Sequence, residues 1–323
     1  MTPGASIELA ERLLGRRCSV ERPITVDQTN LSVVVDESLV VKWLRPPVPS
    51  PHPGLQLIRH LAAAGFDEMP AFLGVDERDG MVHAIITSYL SGALDGWDWY
   101  VDDVEAWLDG TLVLADLVES ARRMGAITAR LHTALADLQP SIVEIAAVAD
   151  QAMSNLHLAT SCLDGLGWLD SMRVSIVLQP LRDVGQADGH RIHGDLHAGQ
   201  FLRAGTTVLV TDFDGDPLLD AAMRARPQSP LCDVASMVQS IEHVGAVVVK
   251  RRRPDRASDV ERFADDAARA AVDAYSSVHH IDSDLLLAFR VAQELHEYAY
   301  SIRHLPHWRY VADAALPRLL GVG

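Results

Sequence analysis

The stretch IHGDLHAGQFLRAGTTVLVTDFDGDP, residues 192–217, decides how the chain is read. Asp195 sits in a short polar loop after the apolar Ile192, and Gln200 follows five residues later with a neutral amide oxygen. Thr207-Val208-Leu209-Val210 has the β-branched character of a short strand, and Asp212 stands at its end. Phosphoryl transfer from ATP is mostly positioning and charge neutralisation. It needs one carboxylate to orient the acceptor hydroxyl and take its proton, and hard oxygen ligands to hold magnesium on the phosphates. Base, first metal ligand, strand, second metal ligand is the order found here. An isolated HGD or DFD carries little information; five polar positions in register are not explained by a turn. His193 and His197 are spaced as half a zinc site, but no third ligand follows at metal spacing, and Gly194 and Gly199 disfavour the helix such a pair needs.

Upstream, Ser32-Val33-Val34-Val35 and Leu39-Val40-Val41-Lys42-Trp43 flank Asp36-Glu37-Ser38, the pattern of a hairpin. The Pro-rich run Pro46–Pro51 reads as a loop, and Leu55, Ile58, Leu61 and Ala62 recur at helical spacing until Gly65. Residues 81–86 form another strand candidate leading into Ser88-Tyr89-Leu90. Beyond that the pattern is mainly helical: 114–136 is amphipathic through Leu117, Met124, Ile127 and Leu131, 167–184 looks alike, and helices resume from 231. The expected fold is α+β and bilobal, with a β-rich lobe over residues 1–90 and a larger, mostly helical lobe over 91–323. A single lysine in a strand is ordinarily a solvated edge device; the downstream motif is what makes Lys42 a functional candidate.

Composition narrows the partners. With 44 acidic against 28 basic residues the formal charge is −16, which repels phosphate backbones and argues against nucleic acid. The one basic run, Lys250–Arg253, is followed by Pro254 and Asp255 and reads as a solvated loop. No stretch holds the eighteen or so uninterrupted apolar residues of a membrane span. The start has no basic segment ahead of an apolar one, so the cytoplasm is the expected compartment. Cys18, Cys162 and Cys232 are widely separated and suggest neither a disulfide framework nor a zinc knuckle.

HGDLHxGQ, a strand and DF[DE]G[DE]P together resemble the aminoglycoside-phosphotransferase-like superfamily, and within it the maltokinase and glucosamine kinase branch of actinobacteria. The likeness extends over most of the chain. Asn30-Leu31-Ser32 with Val41-Lys42-Trp43 resembles the phosphate loop and lysine strand, and Gly92–Trp97 (GALDGW) the segment after the hinge. Ser229-Pro230-Leu231-Cys232-Asp233-Val234-Ala235 resembles the branch's S-P-x-x-D-V-A helix start, and His296–Trp308 its late Y-E-x-x-Y to R-P-x-W stretch. The resemblance implies a eukaryotic-kinase-like fold and ATP and Mg2+ as cofactors. It makes Asp195 the catalytic base, Gln200 and Asp212 the magnesium ligands, and Lys42 the contact to the ATP phosphates, with Asn30 and Ser32 beside it and Ser88 and Leu90 offering groups to adenine. His193, His197 and Asp233 would support the loop, and Asp214 and Asp216 would lie behind the metal or help a second one. The sequence departs from the branch in three ways. Gln56 replaces the helix glutamate that pairs with the lysine, leaving Glu68 as another candidate. His296 and Leu305 stand where Tyr and Arg are expected. The chain is also shorter than maltokinases and is expected to lack their N-terminal cap.

Helical spacing puts Gln293, Glu297, Tyr300 and His304 on one stripe, suited to sugar recognition. With Trp308, and with Glu297 or Glu294 facing an ammonium, the expected acceptor is an amino sugar such as glucosamine. An aminoglycoside drug as acceptor and a non-catalytic nucleotide-binding protein are the alternatives.

Overall fold

The computed structural model describes residues 2–24 and 30–322. In chain order its elements are α1 (Ala5–Leu14), β1 (Glu21–Pro23), β2 (Leu31–Val35), β3 (Leu39–Pro49), α2 (Pro53–Ala63), β4 (Phe72–Arg78) and β5 (Met81–Ser88). Then come α3 (Gly96–Leu108), α4 (Leu114–Leu135), β6 (Ser141–Glu144), α5 (Ala146–Cys162), α6 (Ser171–Val177), α7 (Gln179–Val184) and β7 (Gln186–Gly189). β8 (Phe201–Ala204), β9 (Thr207–Val210), α8 (Ala221–Arg224), α9 (Leu231–Arg251), α10 (Ala257–Ser276), α11 (Ser283–Arg303) and α12 (Tyr310–Leu319) complete the chain. A small antiparallel sheet and a larger helical part match the kinase-like bilobal class.

Two compact units divide the residues as Met1–Leu94 with Phe201–Ala225, and Asp95–Gln200 with Arg226–Gly323. This differs from a single boundary at residue 90, and the reason is local bonding. Leu94 and Arg203 exchange backbone hydrogen bonds at 3.0 and 2.9 Å, and Val210 donates its N–H to the Glu68 carbonyl at 2.8 Å. Residues 201–225 are thereby stitched to the sheet unit.

In the first unit the strands run β1-β2-β3-β5-β4, so Lys42 occupies the central strand and not an edge. Its cross-strand neighbours are Ser32 and Ile85. Side chains alternate across a strand. Val33, Val35, Val41, Ala84 and Ile86 therefore share a face and form a core with Leu9 and Ala10 of α1, while Lys42 projects from the other. The Glu21 carboxylate accepts the N–H groups of Gly4 at 2.5 Å, Ser6 at 3.1 Å and Ile7 at 3.2 Å, setting an anion at the electropositive start of α1. The β2–β3 turn holds Asp36 and Glu37 at φ 49° and 48°. The Pro-rich run is not a free loop: it extends β3 to Pro49, past a register shift between Trp43 and Val48. Prolines fit there because an interrupted ladder needs fewer N–H donors. β4 had no clear alternation and was not legible in the sequence.

In the second unit α4 lies against α10 so closely that a Cβ on Gly125 would overlap the Ala271 carbonyl oxygen. The helical pattern over 167–184 resolves into α6 and α7, broken at Leu178 because Pro180 can occupy only the first turn of a helix. Among the described residues α9 is the helix long and apolar enough to cross a membrane, and 72% of its apolar window is buried inside the protein. It is a core helix. Val234, Val238, Ile241, Val244 and Val248 are fully buried along it, each worth about 1.5–3 kcal/mol.

Candidate functional site

The second unit builds the loop that carries Asp195. α9 begins just before Asp233, which is fully buried and accepts the backbone N–H of His193 at 2.8 Å on one oxygen and that of Gly194 at 2.9 Å on the other. Burial alone would raise its carboxyl pKa, but the hydrogen bond from His132 and the donors of the loop outweigh it and hold the group below the usual carboxylate range. Two further contacts close the loop: the Ser240 hydroxyl accepts the Ala198 N–H at 2.8 Å, and His193 Nδ1 accepts the Asp195 N–H at 3.3 Å. His197 Nδ1 accepts the Gly199 N–H at 3.1 Å, while its Nε2 lies 3.2 Å from the Gln200 amide nitrogen. Gly194 has φ 81°, a conformation that costs a side-chain-bearing residue energy. Asp195 is left partly exposed at the tip.

The same loop is pressed from above by the start of α3. Asp95 caps that helix, accepting from Trp97 N at 2.9 Å and Asp98 N at 3.1 Å. A Cβ on Gly96 would overlap the Ala198 carbonyl, and one on Gly199 would lie 2.6 Å from Trp97 Cδ1. The Trp97 ring is 5.9 Å from His197 and meets Trp308 edge-on at 5.6 Å. Trp308 in turn contacts Tyr310 at 5.7 Å, with the Arg251 guanidinium 5.9 Å from its ring. Trp308 is therefore joined through one indole to the loop that bears Asp195. The sequence marks GALDGW as a segment but not the packing of Trp97 on this loop; the small residues Gly96 and Gly199 are the available signal.

The first unit builds the acidic segment. Lys42 Nζ lies 2.8 Å from Asp212 Oδ1 and 2.7 Å from Asp214 Oδ2. Burial disfavours the ammonium, but the two carboxylates outweigh it and hold its pKa above the ordinary lysine value. They supply the charge that Gln56 lacks. Asp212 has φ 60°, a strained conformation for a residue with a side chain and one that accumulates at functional sites. Gly54 at the start of α2 lets this segment approach: its Cβ would sit 2.7 Å from both Phe213 O and Asp214 Oδ1. Arg224 donates to the Asp214 carbonyl at 2.9 Å. A carboxylate pair that already holds an ammonium offers the hard oxygens magnesium prefers, so Asp212 fits a metal role. Among the described residues no cluster of three His, Cys, Asp or Glu forms a complete metal cage by itself.

Ser32 pairs with Lys42 across β2 and β3, and Asn30 lies just before β2. Ser88 is tied to Ala71, donating its N–H at 2.9 Å and accepting the Ala71 N–H on its hydroxyl at 2.8 Å. The Leu90 carbonyl accepts from Ala93 N at 3.2 Å. On α11, Glu297 and Tyr300 are half-buried; Gln293 donates to Glu297 at 3.4 Å, and the Tyr300 ring lies 5.3 Å from that of His304, tilted by 42°. Glu294 is a correction. It faces the core, fully buried with Oε1 3.1 Å from His243 Nε2, so it is not placed to meet an acceptor. Burial pushes its pKa up to about 7 despite His243.

No family model matches the chain. It is 37% identical over 342 residues to a glucosamine kinase from Streptacidiphilus jiangxiensis, covering 99% of this chain and 78% of the relative. Among solved structures it is similar to a glucosamine kinase in complex with glucosamine, ADP and inorganic phosphate. The TM-score is 0.85 and the identity 34%, over 98% of this chain and 83% of that one. An aminoglycoside phosphotransferase at TM-score 0.51 and 12% identity, over 98% of each chain, shares the fold.

Proposed function

The chain belongs to the glucosamine kinase family, and from that premise we propose that it transfers the γ-phosphoryl group of ATP to a hydroxyl of glucosamine, in the cytoplasm. The observation that carries the reading furthest is the Lys42 ammonium held by Asp212 and Asp214, whose partners lie 170 and 172 residues away in sequence. An isolated surface lysine has no reason to be so placed.

In this reading Asp195 accepts the proton of the acceptor hydroxyl while that oxygen attacks the γ-phosphorus. The bond to the β-phosphate oxygen breaks, giving phosphorylated sugar and ADP. Lys42 balances charge on the phosphates, with Asn30 and Ser32 at the same end of β2, and the chain near Ser88 and Leu90 receives adenine. Asp212 and Gln200 would hold magnesium, which when bound neutralises charge on the phosphate oxygens. His197 orients the Gln200 amide, and Asp233 fixes the backbone from which Asp195 projects. Trp308 and Tyr300 supply faces for a sugar ring, and Glu297 pairs with the ammonium.

The test is ADP release from Mg-ATP with glucosamine, glucose, maltose and aminoglycosides as acceptors. Glucosamine should turn over best, and Asp195→Asn should lower kcat by about 10²–10⁴-fold, the usual worth of a positioned general base. Turnover of an aminoglycoside in preference to glucosamine would replace the acceptor. Neither turnover nor thermal stabilisation by Mg-ATP would overturn the kinase reading.

A further inference from the structure

Beneath the Asp195 loop lie two buried groups that touch none of the atoms in the proposed reaction. His132 of α4 places Nε2 3.1 Å from Asp233 Oδ2 and Nδ1 2.8 Å from the Tyr275 hydroxyl of α10. His132 and Tyr275 are 1% and 3% exposed. We infer that Tyr275 and His132 are positioning residues of the phosphoryl-transfer reaction, acting through Asp233 on the backbone that aims Asp195. The inference rests on Asp195 being the base.

The argument is one of donors and acceptors. Asp233 is ionised and can only accept, so His132 must present Nε2–H to it. In the tautomer that turns Nε2–H to Asp233, the Nδ1 lone pair requires a donor in a place water does not reach. The Tyr275 O–H is that donor. Burial, and then the Asp233 charge, hold the phenol above its ordinary pKa, so its proton stays available for donation. Tyr275 thus locks His132 into the single tautomer that complements Asp233. Without it the ring can carry its proton on Nδ1, setting a lone pair against a carboxylate oxygen. Asp233 would then be free to turn, and with it the His193 and Gly194 amides that define the loop.

The neighbouring groups do not compete for these bonds. His279, 5.1 Å from Tyr275, bonds to the Ala129 carbonyl at 2.9 Å and to Thr133 Oγ1 at 3.0 Å. His190, 5.9 Å from His132, has its Nδ1 2.6 Å from the Arg191 carbonyl. Neither α4 nor α10 was marked by the sequence motif, and His132 lies within an ordinary amphipathic run.

Steady-state kinetics with Mg-ATP and glucosamine test the inference, with Tm measured on each variant and rates corrected for the folded fraction. Tyr275→Phe removes one buried hydrogen bond and should lower kcat by about tenfold. KM for both substrates should stay within about twofold, because no substrate contact is lost. His132→Gln keeps an N–H donor for Asp233 and should retain more activity than His132→Leu. In an Asp195→Asn background Tyr275→Phe should have little further effect, since the two act on one step. An unchanged kcat in folded Tyr275→Phe overturns the inference while leaving the kinase reading intact. So does a loss shared equally by His132→Gln and His132→Leu, which also decides the matter if Tyr275→Phe does not fold. No turnover by the unaltered protein removes the kinase reading, and this inference with it.

Discussion

The Asp195 loop and the Asp212–Asp216 segment each present acidic side chains, yet they are held in opposite ways. The loop is fixed through its backbone: buried Asp233 and Ser240 bond the N–H groups of residues 193, 194 and 198, and glycines let α3 press on it. The acidic segment is held mainly through its side chains, by a lysine whose partners are 49% and 18% exposed, with Arg224 on the Asp214 carbonyl, and it contains a residue at positive φ. A carboxylate that must aim at one hydroxyl benefits from a frame that cannot shift. On the proposed mechanism, a carboxylate that exchanges an ammonium for a metal ion benefits from a counter-charge that can be displaced. On that reading rigidity serves the proposed base and adaptability the proposed charge clamp.

Asp233→Ala would break the first arrangement most severely. It strands two loop amides and the His132 ring, and losing one partner of a buried ionic network costs about 3–5 kcal/mol; a calorimetric or denaturant midpoint reads the loss. The depressed carboxyl of Asp233 contributes stability above the ordinary carboxylate range and loses it as pH falls through and below that range. The variant should therefore also show a shallower acid limb. A stability change under about 1 kcal/mol would mean that the loop does not depend on Asp233.

Gly96→Ala and Gly54→Ala sharpen the comparison by disturbing one region each. Overpacking of this kind costs typically about 1–3 kcal/mol. Gly96→Ala should lower kcat with little change in ATP affinity. Gly54→Ala, which crowds Phe213 and Asp214, should weaken Mg-ATP binding measured by calorimetry. The reverse pattern would show that the two regions have been assigned the wrong duties.

Lys42→Met should have the smallest effect on the fold, within about 1 kcal/mol, because a partly exposed pair is screened by solvent. Its effect on catalysis should still be large, with kcat/KM falling by about 10²–10³-fold, as for other removed transition-state charge partners. A folded Lys42→Met enzyme with near-normal kcat/KM would break the proposed link between the lysine and the phosphates.

The motif residues, the β2–β3 hairpin, α2 and the long helix α4 were readable because short-range pattern governs them. Lys42 is legible as a candidate, yet the sequence points to Gln56 and Glu68 as its partners. The pairing with Asp212 and Asp214 spans 170 residues or more, and local periodicity carries no trace of it. Glu294 shows the converse limit. A carboxylate near an aromatic stripe looks available to a ligand, and only the helix packing reveals that it faces His243. The support from His132 and Tyr275 left no signature because both residues fit the helical pattern around them. Buried polar chemistry becomes visible only when the elements are assembled.

The clustering of residues 201–225 with the N-terminal sheet has a consequence for how the protein is made. A ribosome adding about 5–20 residues per second finishes Lys42 roughly ten to thirty seconds before it reaches Asp212. Through that interval the sheet lacks the hairpin that bonds to Leu94 and Glu68 and the carboxylates that answer its central lysine. The first unit is thus not a module that can be cut out at residue 94, and nascent chains pass through a stage in which it is present but incomplete.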